Sequence, residues 1–205
     1  MSEISDFFDG MAPSWDERGR HDEKMIDALL SSCMIRPGDR VLDLGCGTGV
    51  ISKKLSLLSK SGVLCMDASE KMIAIAKEKY RDEKLLSFIQ ADFYSFAGEG
   101  FDVIVCFDAY PHFVDVASFK KKTFELLKNQ GRLCILHDLS RKALEHCHSG
   151  HASTLSRIIE KPEKEAQFYM DCFKIVTAEE DDSSYELILE KKNGQTKTKV
   201  KGENL

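Results

Sequence analysis

The chain has 205 residues, of which 42% are hydrophobic and 31% charged, and it carries a formal net charge of −5. This length and composition support a single α/β domain with an enclosed core. The negative charge disfavours nucleic acid as the main substrate, because phosphates are bound by clustered basic side chains. Basic residues concentrate only near the end of the chain, where we interpret them as a solvated terminus: Lys191, Lys192, Lys197, Lys199 and Lys201.

Two features bear on the cellular compartment. No apolar run approaches the roughly 20 residues of a membrane span, and the first residues are acidic where a signal peptide would be basic. The seven cysteines include no C-x-x-C pair, and Cys65, Cys106 and Cys134 lie in apolar runs, where we expect them to pack as core residues. We therefore expect a cytoplasmic protein that does not enter the membrane.

Residues 1–33 precede the first predicted strand and carry large apolar side chains on predicted helices. They include Phe7, Phe8, Met11, Trp15 and Met25. Because the segment lies outside the strand and helix alternation that follows, we expect it to form a helical lid over a ligand site at the carboxyl ends of the strands.

A glycine-rich turn follows the first predicted strand. The strand covers residues 41–44, and Gly45, Gly47 and Gly49 come before a helix predicted to begin near Val50. Glycine allows unusual backbone angles and lets a ligand lie against the main chain. Dinucleotide sites use G-x-G-x-x-G, whose third glycine would fall at Val50, so the pattern disfavours a pyrophosphate site.

A second signal is the acid at the end of the next predicted strand, residues 63–67. Asp67 follows Gly45 by 22 positions. An acid at this place in a βαβ unit can accept both ribose hydroxyls of an adenosine ligand. The glycine turn and Asp67 together predict an adenosine-containing ligand.

Strands and helices continue to alternate along the chain. Further strands are predicted at residues 86–90, 101–107 and 132–136, and helices at about 69–80 and 116–129. Three helical stretches follow, near 140–147, from 153 to 159, and after Pro162 to about Met170. Residues 173–176 and 184–190 predict two strands whose short connection requires antiparallel pairing. The pattern predicts a doubly wound, mostly parallel sheet.

The sequence D-L-G-C-G-T-G at 43–49 resembles the class I S-adenosylmethionine-dependent methyltransferases, in particular their small-molecule group. The resemblance extends from Phe7-Phe8-Asp9 and Trp15-Asp16 to about Tyr185. It implies an α/β, Rossmann-like, doubly wound fold with a mostly parallel seven-stranded sheet, an antiparallel strand at one edge and helices on both faces. It also implies one domain over 1–205, with a lid at 1–33 and a helical insertion at 137–160 near the acceptor site.

The resemblance further implies S-adenosylmethionine as cofactor. The glycine turn would hold its methionine portion, Asp67 its ribose and Asp92 its adenine amino group. The predicted cofactor residues are Asp43, Gly45, Cys46, Gly47, Gly49, Asp67, Ala68, Met72, Asp92, Phe93 and Phe107.

The end of the fourth strand supplies polar candidates beside the methyl group: Asp108, Tyr110 and His112. A general base is needed only if the acceptor is protonated at working pH. We predict His112 and Asp108 as catalytic residues or substrate contacts, and packing or capping within the loop stays open as the alternative. Tyr110 could border the sulfonium or simply form part of the wall.

Histidines concentrate after the fifth strand, where His137 and Asp138 are followed by His146, His148 and His151. His146 and His148 do not have the i,i+4 spacing of a ligand pair on one helix face. We therefore predict an acceptor pocket with His137 as a catalytic residue and no metal. A metal site and an incidental role stay open as alternatives.

The predicted function is methyl transfer from S-adenosylmethionine to a small-molecule acceptor. The alternatives are a protein that binds the cofactor without catalysis, as a regulatory or partner subunit, and an RNA methyltransferase, which would need a basic surface beside the pocket. The sequence leaves monomer and homodimer open.

Overall fold

The computed structural model describes residues 3–18, 21–147 and 155–193. The N-terminal segment forms α1 (Glu3–Met11), a 3₁₀ turn (Ala12–Ser14), α2 (Trp15–Arg18) and α3 (Glu23–Ser32). The strand and helix alternation then begins, as the sequence predicts.

The first half of the alternation contains β1 (Val41–Leu44), α4 (Ser52–Ser59), β2 (Val63–Asp67), α5 (Glu70–Lys79) and β3 (Leu86–Gln90). The second half contains β4 (Phe101–Phe107), a 3₁₀ turn (Tyr110–His112), α6 (Val116–Leu126), β5 (Leu127–His137), α7 (Arg141–Cys147), α8 (Pro162–Glu165), a 3₁₀ turn (Ala166–Tyr169), β6 (Phe173–Glu180) and β7 (Tyr185–Lys191).

Within the described ranges, the strands form one seven-stranded sheet in the order β3-β2-β1-β4-β5-β7-β6. Pairing is parallel from β3 to β5, and β7 runs antiparallel to both β5 and β6. The predicted Rossmann-like fold is confirmed, with the antiparallel strand in the hairpin at the β6 edge. The chain order reverses between β1 and β4, which is where such sheets bind ligands.

Helix starts are fixed by capping side chains. The Ser69 hydroxyl accepts a hydrogen bond from the Met72 amide, and the Asp22 carboxylate accepts from the Lys24 amide at 2.9 Å. Each cap satisfies an amide that the helix cannot pair internally. The cap at Ser69 confirms the predicted start of α5, directly after the strand that carries Asp67.

The sheet is covered on both faces, and β1 and β4 lie at its centre. All four residues of β1 are buried, as expected for a parallel strand between two helical layers. Cys65, Cys106 and Cys134 are fully buried, which confirms their core assignment.

Three sequence predictions need correction. Helix α6 ends at Leu126 because Leu127 already pairs with Phe101 in the sheet. The helix predicted over 153–159 is wrong for the described residues 155–159, which have no helical structure. Lys191 is a buried residue of β7 whose Nζ donates to the Leu127 carbonyl at 2.7 Å, whereas residues 197, 199 and 201 lie outside the described residues.

No helix among the described residues is long and apolar enough to cross a membrane.

Candidate active site

A cavity lies outside the carboxyl ends of β1, β2, β3 and β4, the place where doubly wound sheets bind their ligands. Seven of the eleven predicted cofactor residues line it: Gly45, Gly47, Asp67, Ala68, Met72, Asp92 and Phe93. The strands that the sequence predicts therefore bring both motif signals to one cavity.

The glycine turn needs its glycines for two physical reasons. Gly45 and Gly47 have φ values of +72° and +53°, a region that side chains disfavour. A Cβ on Gly45 would also lie 2.6 Å from the Cβ of Ala109, in the turn after β4. The absence of side chains thus lets the β1 and β4 turns meet and leaves backbone facing the cavity.

Asp67 joins the second strand to this turn. Its Oδ2 accepts a hydrogen bond from the Gly47 amide at 2.9 Å, and its Oδ1 accepts from the Ser69 amide at 2.8 Å. Burial raises the pKa of Asp67, and the backbone hydrogen bonds oppose that rise. The carboxylate is held in place from both sides at the cavity wall.

The other predicted cofactor residues lie behind the cavity wall. Asp43 is buried and accepts a hydrogen bond from the Ser52 hydroxyl at 2.5 Å. Cys46 and Phe107 are buried, and Gly49 packs under Tyr80, whose hydroxyl donates to the Gly49 carbonyl at 2.8 Å. These residues support the turn and do not line the cavity.

Side chains from the N-terminal segment close the cavity on the side away from the sheet: Ile4, Phe8 and Trp15. Two carboxylates hold the segment there. Asp9 accepts from the Ser69 hydroxyl at 2.5 Å, and Asp16 accepts from the Thr48 hydroxyl at 2.5 Å and pairs with Lys79 at 3.0 Å. The segment is therefore fastened to the same two turns that carry Gly47 and Asp67.

Asp108 and His112 line the cavity in the turn after β4. The His112 ring stands edge-on to Phe8, with centroids 4.9 Å apart. Its Nδ1 lies 3.2 Å from the Leu155 carbonyl oxygen. Because a carbonyl only accepts, Nδ1 carries a proton, and in the neutral ring Nε2 is then the basic nitrogen.

Asp108 belongs to a group of titratable side chains that the sequence analysis did not assemble. His21 Nδ1 lies 2.7 Å from Asp138 Oδ2 and 3.8 Å from Asp108 Oδ2. Burial and repulsion from Asp138 raise the pKa of Asp108 well above its usual range. The hydrogen bond to Asp138 raises the pKa of His21, although burial opposes that rise.

His137 and Tyr110 are both fully buried and neither lines the cavity. His137 lies behind Asp108, with Nδ1 3.2 Å from Asp108 Oδ1, and burial lowers its pKa to about 3. This corrects its predicted place at the acceptor. The Tyr110 hydroxyl donates a hydrogen bond to Glu165 at 2.6 Å and forms another with the Tyr169 hydroxyl at 2.7 Å. Tyr110 therefore belongs to the buried support behind the cavity wall.

The remaining predicted histidines do not add to the site. The His146 side chain, His148 and His151 lie outside the described part of the chain. The predictions about them stay predictions.

Sequence reasoning missed His21 and Glu165. Glu165 is fully buried and accepts from Arg157 Nη2 at 2.6 Å as well as from Tyr110. It thereby ties the segment after residue 155 to the turn that carries His112. Neither residue belongs to a recognisable motif. The one local signal is Pro162, three positions before Glu165, which indicates the start of the short helix α8.

The strand order, the glycine turn after β1 and the acid after β2 agree with the class I S-adenosylmethionine-dependent methyltransferase fold that the sequence resembles. The family model described as a methyltransferase domain matches residues 35–200. The chain belongs to this family.

Curated relatives include methyltransferases with different acceptors. The malonyl-[acyl-carrier protein] O-methyltransferase of Bacillus cereus is 32% identical over 132 residues, which are 62% of this chain and 49% of that protein. The ubiquinone/menaquinone biosynthesis C-methyltransferase UbiE of Vibrio vulnificus is 32% identical over 108 residues, 49% of this chain and 42% of that protein. The matches thus span about half the length of these relatives or less.

Among solved structures, the methyltransferase in complex with the Trm112 methyltransferase activator of Haloferax volcanii superposes with a TM-score of 0.77 at 16% identity. The superposition covers 91% of this chain and 98% of that one. At this identity the likeness shows the fold.

Proposed function

We propose that this protein transfers a methyl group from S-adenosylmethionine to a small-molecule acceptor. The observation that carries the proposal is one cavity lined both by the glycine turn and Asp67, the predicted cofactor residues, and by Asp108 and His112, which we take as its acceptor end. Family membership supports methyl transfer, and the apolar residues Ile4, Phe8 and Trp15 over the cavity support an acceptor of small size.

The residues present fit the cofactor. Gly47 leaves backbone facing the cavity, and the Cβ it lacks would lie 3.8 Å from Trp15 Nε1. Asp67 would accept from the ribose hydroxyls and Asp92 from the adenine amino group, with Ala68, Met72 and Phe93 as apolar walls. When bound, S-adenosylmethionine supplies an activated methyl group on a sulfonium.

The protein contributes alignment and the exclusion of water. Phe8 and Trp15 cover the cavity and keep bulk water from the reacting atoms, which favours a direct displacement. We propose Asp108 and His112 as the catalytic residues. His112 has its basic nitrogen set by the bond to Leu155, so that it can take a proton from a hydroxyl, amine or activated carbon acid.

His137 is proposed as a positioning residue, since its ring backs the Asp108 carboxylate and has no access to a ligand. Asp43, Cys46, Gly49 and Phe107 are proposed to shape the cofactor site from behind.

Calorimetry with S-adenosylmethionine and its demethylated product tests the cofactor directly. We expect both to bind with Kd values in the micromolar range, which correspond to a binding free energy of roughly −8 kcal/mol. Absence of heat with both ligands, together with tight binding of NAD, would contradict the proposal.

A panel of small acceptors with hydroxyl, amine and carbon-acid groups then tests methyl transfer by following the demethylated product. Turnover with a member of the panel, lost in the His112→Gln protein with cofactor affinity retained, is the expected result. Stoichiometric cofactor binding without turnover on any acceptor would favour the non-catalytic alternative.

A further inference from the structure

Three side chains from distant parts of the chain converge beside the acceptor end of the cavity: His21 from the N-terminal segment, Asp108 after β4 and Asp138 after β5. Each offers one ligand atom, and these atoms all lie within 4.8 Å of one another. Asp108 also lines the cavity. The group therefore borders the place where an acceptor would meet the methyl group.

The spacing suits a single metal ion. Two ligands about 2.1 Å from one ion stand roughly 3.0 Å apart at a right angle and roughly 3.4 Å apart at the tetrahedral angle. The His21 to Asp138 and His21 to Asp108 separations of 2.7 and 3.8 Å lie on either side of these values.

The charges around the group favour a cation. The two carboxylates are only 25% and 8% exposed for Asp108 and Asp138. Among the described residues, their ion-pair partners are the imidazoles of His21 and, for Asp108, His137, and no lysine or arginine pairs with either carboxylate. Two carboxylates held this close repel each other unless a positive charge or a shared proton stands between them.

Two further observations distinguish the group of His21, Asp108 and Asp138 from an ordinary pair of neighbouring acids. Asp108 has a φ of +52°, an unusual conformation for a residue other than glycine and one that tends to persist where function requires it. His137 is fully buried behind Asp108, and neither of its ring nitrogens makes a hydrogen bond to a described residue. Its Nδ1 lies 3.2 Å from Asp108 Oδ1, so a buried imidazole adjoins the carboxylate on the side away from the cavity.

We propose that His21, Asp108 and Asp138 bind one divalent metal ion at the acceptor end of the cavity. Two carboxylate oxygens and one imidazole nitrogen form a mixed set, in which carboxylates suit manganese and magnesium and imidazole suits the later transition metals. Manganese accommodates both ligand types, and we take it as the probe.

The ion would have two consequences. It would tie the N-terminal segment to β4 and β5 through His21. Because Asp108 lines the cavity, the ion would lie near a bound acceptor, and an acceptor oxygen atom that bound to it would lose its proton more readily. This second consequence rests on the proposed function, whereas binding of the ion does not.

The test is a titration of Mn²⁺ into the full chain after a chelator has removed bound metal. The electron paramagnetic resonance signal of the unbound ion reports how much Mn²⁺ is bound. We expect saturation at a single equivalent. Asp138→Asn and His21→Gln should each weaken binding by about tenfold or more, since even groups that only support a ligand cost this much. The control is Asp16→Asn, which removes a carboxylate of the same N-terminal segment that is not a ligand, and it should bind nearly as well as the native chain.

Failure of the native chain to bind Mn²⁺ would overturn the proposal, as would unchanged binding by the Asp138→Asn protein or an equal loss in the Asp16→Asn protein. If one ligand variant does not fold, the other still decides, because the ligands come from separate segments. Calorimetry of the metal-free chain with the demethylated cofactor product separates this outcome from failure of the proposed function, since cofactor binding does not require the ion.

Discussion

Asp67 Oδ2 accepts a hydrogen bond from the Gly47 amide at 2.9 Å, so the acid that ends β2 holds the glycine turn that follows β1. The two strongest sequence signals are thus one structural unit. A substitution at Asp67 removes the proposed ribose ligand and also a support of the turn.

We predict that Asp67→Ala weakens S-adenosylmethionine binding by about 1.5 to 3 kcal/mol, the range for hydrogen bonds to a charged group. Calorimetry gives the affinity. Asp82→Ala, at a carboxylate that is 96% exposed, is the control and should leave the affinity unchanged. Equal affinities for native and Asp67→Ala protein would show that Asp67 does not hold the ribose.

The fold and the predicted cofactor part of the site can be predicted from local sequence. The residues that form this part lie close together along the chain, within single βαβ units. Gly47 and Asp67 are 20 positions apart within one βαβ unit, whose geometry is nearly constant. His21 and Asp138 are separated by 117 positions. Their contact depends on how the N-terminal segment lies across the sheet, and no spacing rule contains that information.

The same reason explains the wrong expectation for His137. Its position at the end of β5 correctly predicts that it lies next to the end of β4, where its Nδ1 is 3.2 Å from Asp108 Oδ1. Which way its ring points is decided by packing against Asp108 and Tyr185, the latter with ring centroids 5.7 Å apart. The sequence predicts that His137 lies at the end of the strand, whereas the burial of its ring can be seen only in the packed structure.

Gly45→Ala should destabilise the protein by roughly 1 to 3 kcal/mol. The new Cβ would lie 2.6 Å from the Ala109 Cβ, and the residue would have to keep a φ of +72°. Chemical denaturation measures the effect. Gly62→Ala is the matched control, because its Cβ would have nothing within 4 Å and its φ carries no such strain.

Asp9→Ala should loosen the N-terminal segment. Asp9 accepts from the Ser69 hydroxyl and from the Lys71 amide at 3.1 Å, so it fastens α1 to the start of α5. Hydrogen exchange should rise over residues 7–15 of the variant, whereas Asp6→Ala, at an exposed position of the same helix, should exchange like the native chain.

The same measurement tests whether this segment acts as a lid. In the native protein we expect exchange over residues 7–15 to slow when S-adenosylmethionine is added. Equal exchange with and without cofactor would show that the segment is packed permanently.

Glu165→Ala should lower the free energy of unfolding by about 3 to 5 kcal/mol, because it removes one partner of a buried ion pair and leaves Arg157 uncompensated. The Arg157 amide also donates to the Pro111 carbonyl at 2.9 Å, beside His112. Turnover is therefore expected to fall along with stability. Glu163→Ala, at an exposed position of the same short helix, is the control. Equal free energies of unfolding for the two variants would show that the Glu165–Arg157 ion pair does not stabilise the fold.

Asp43 predicts a pH dependence of stability. Burial raises its pKa from 3.8 to about 7, and the hydrogen bond from Ser52 offsets only part of that rise. Between these two values the folded protein holds a proton that the unfolded chain has lost. The free energy of unfolding should therefore fall as the pH rises from about 4 to about 7 and then level off.

The contribution of this one carboxyl is on the order of 4 kcal/mol, because each pKa unit corresponds to roughly 1.4 kcal/mol. Denaturation of native and Asp43→Asn protein near pH 5 and near pH 8 isolates it, since asparagine cannot ionise and can still accept from Ser52. The native chain should lose stability relative to the variant at the higher pH. A difference that stays constant across this range would show that Asp43 is already ionised at low pH and that its burial is compensated by a charge close to it.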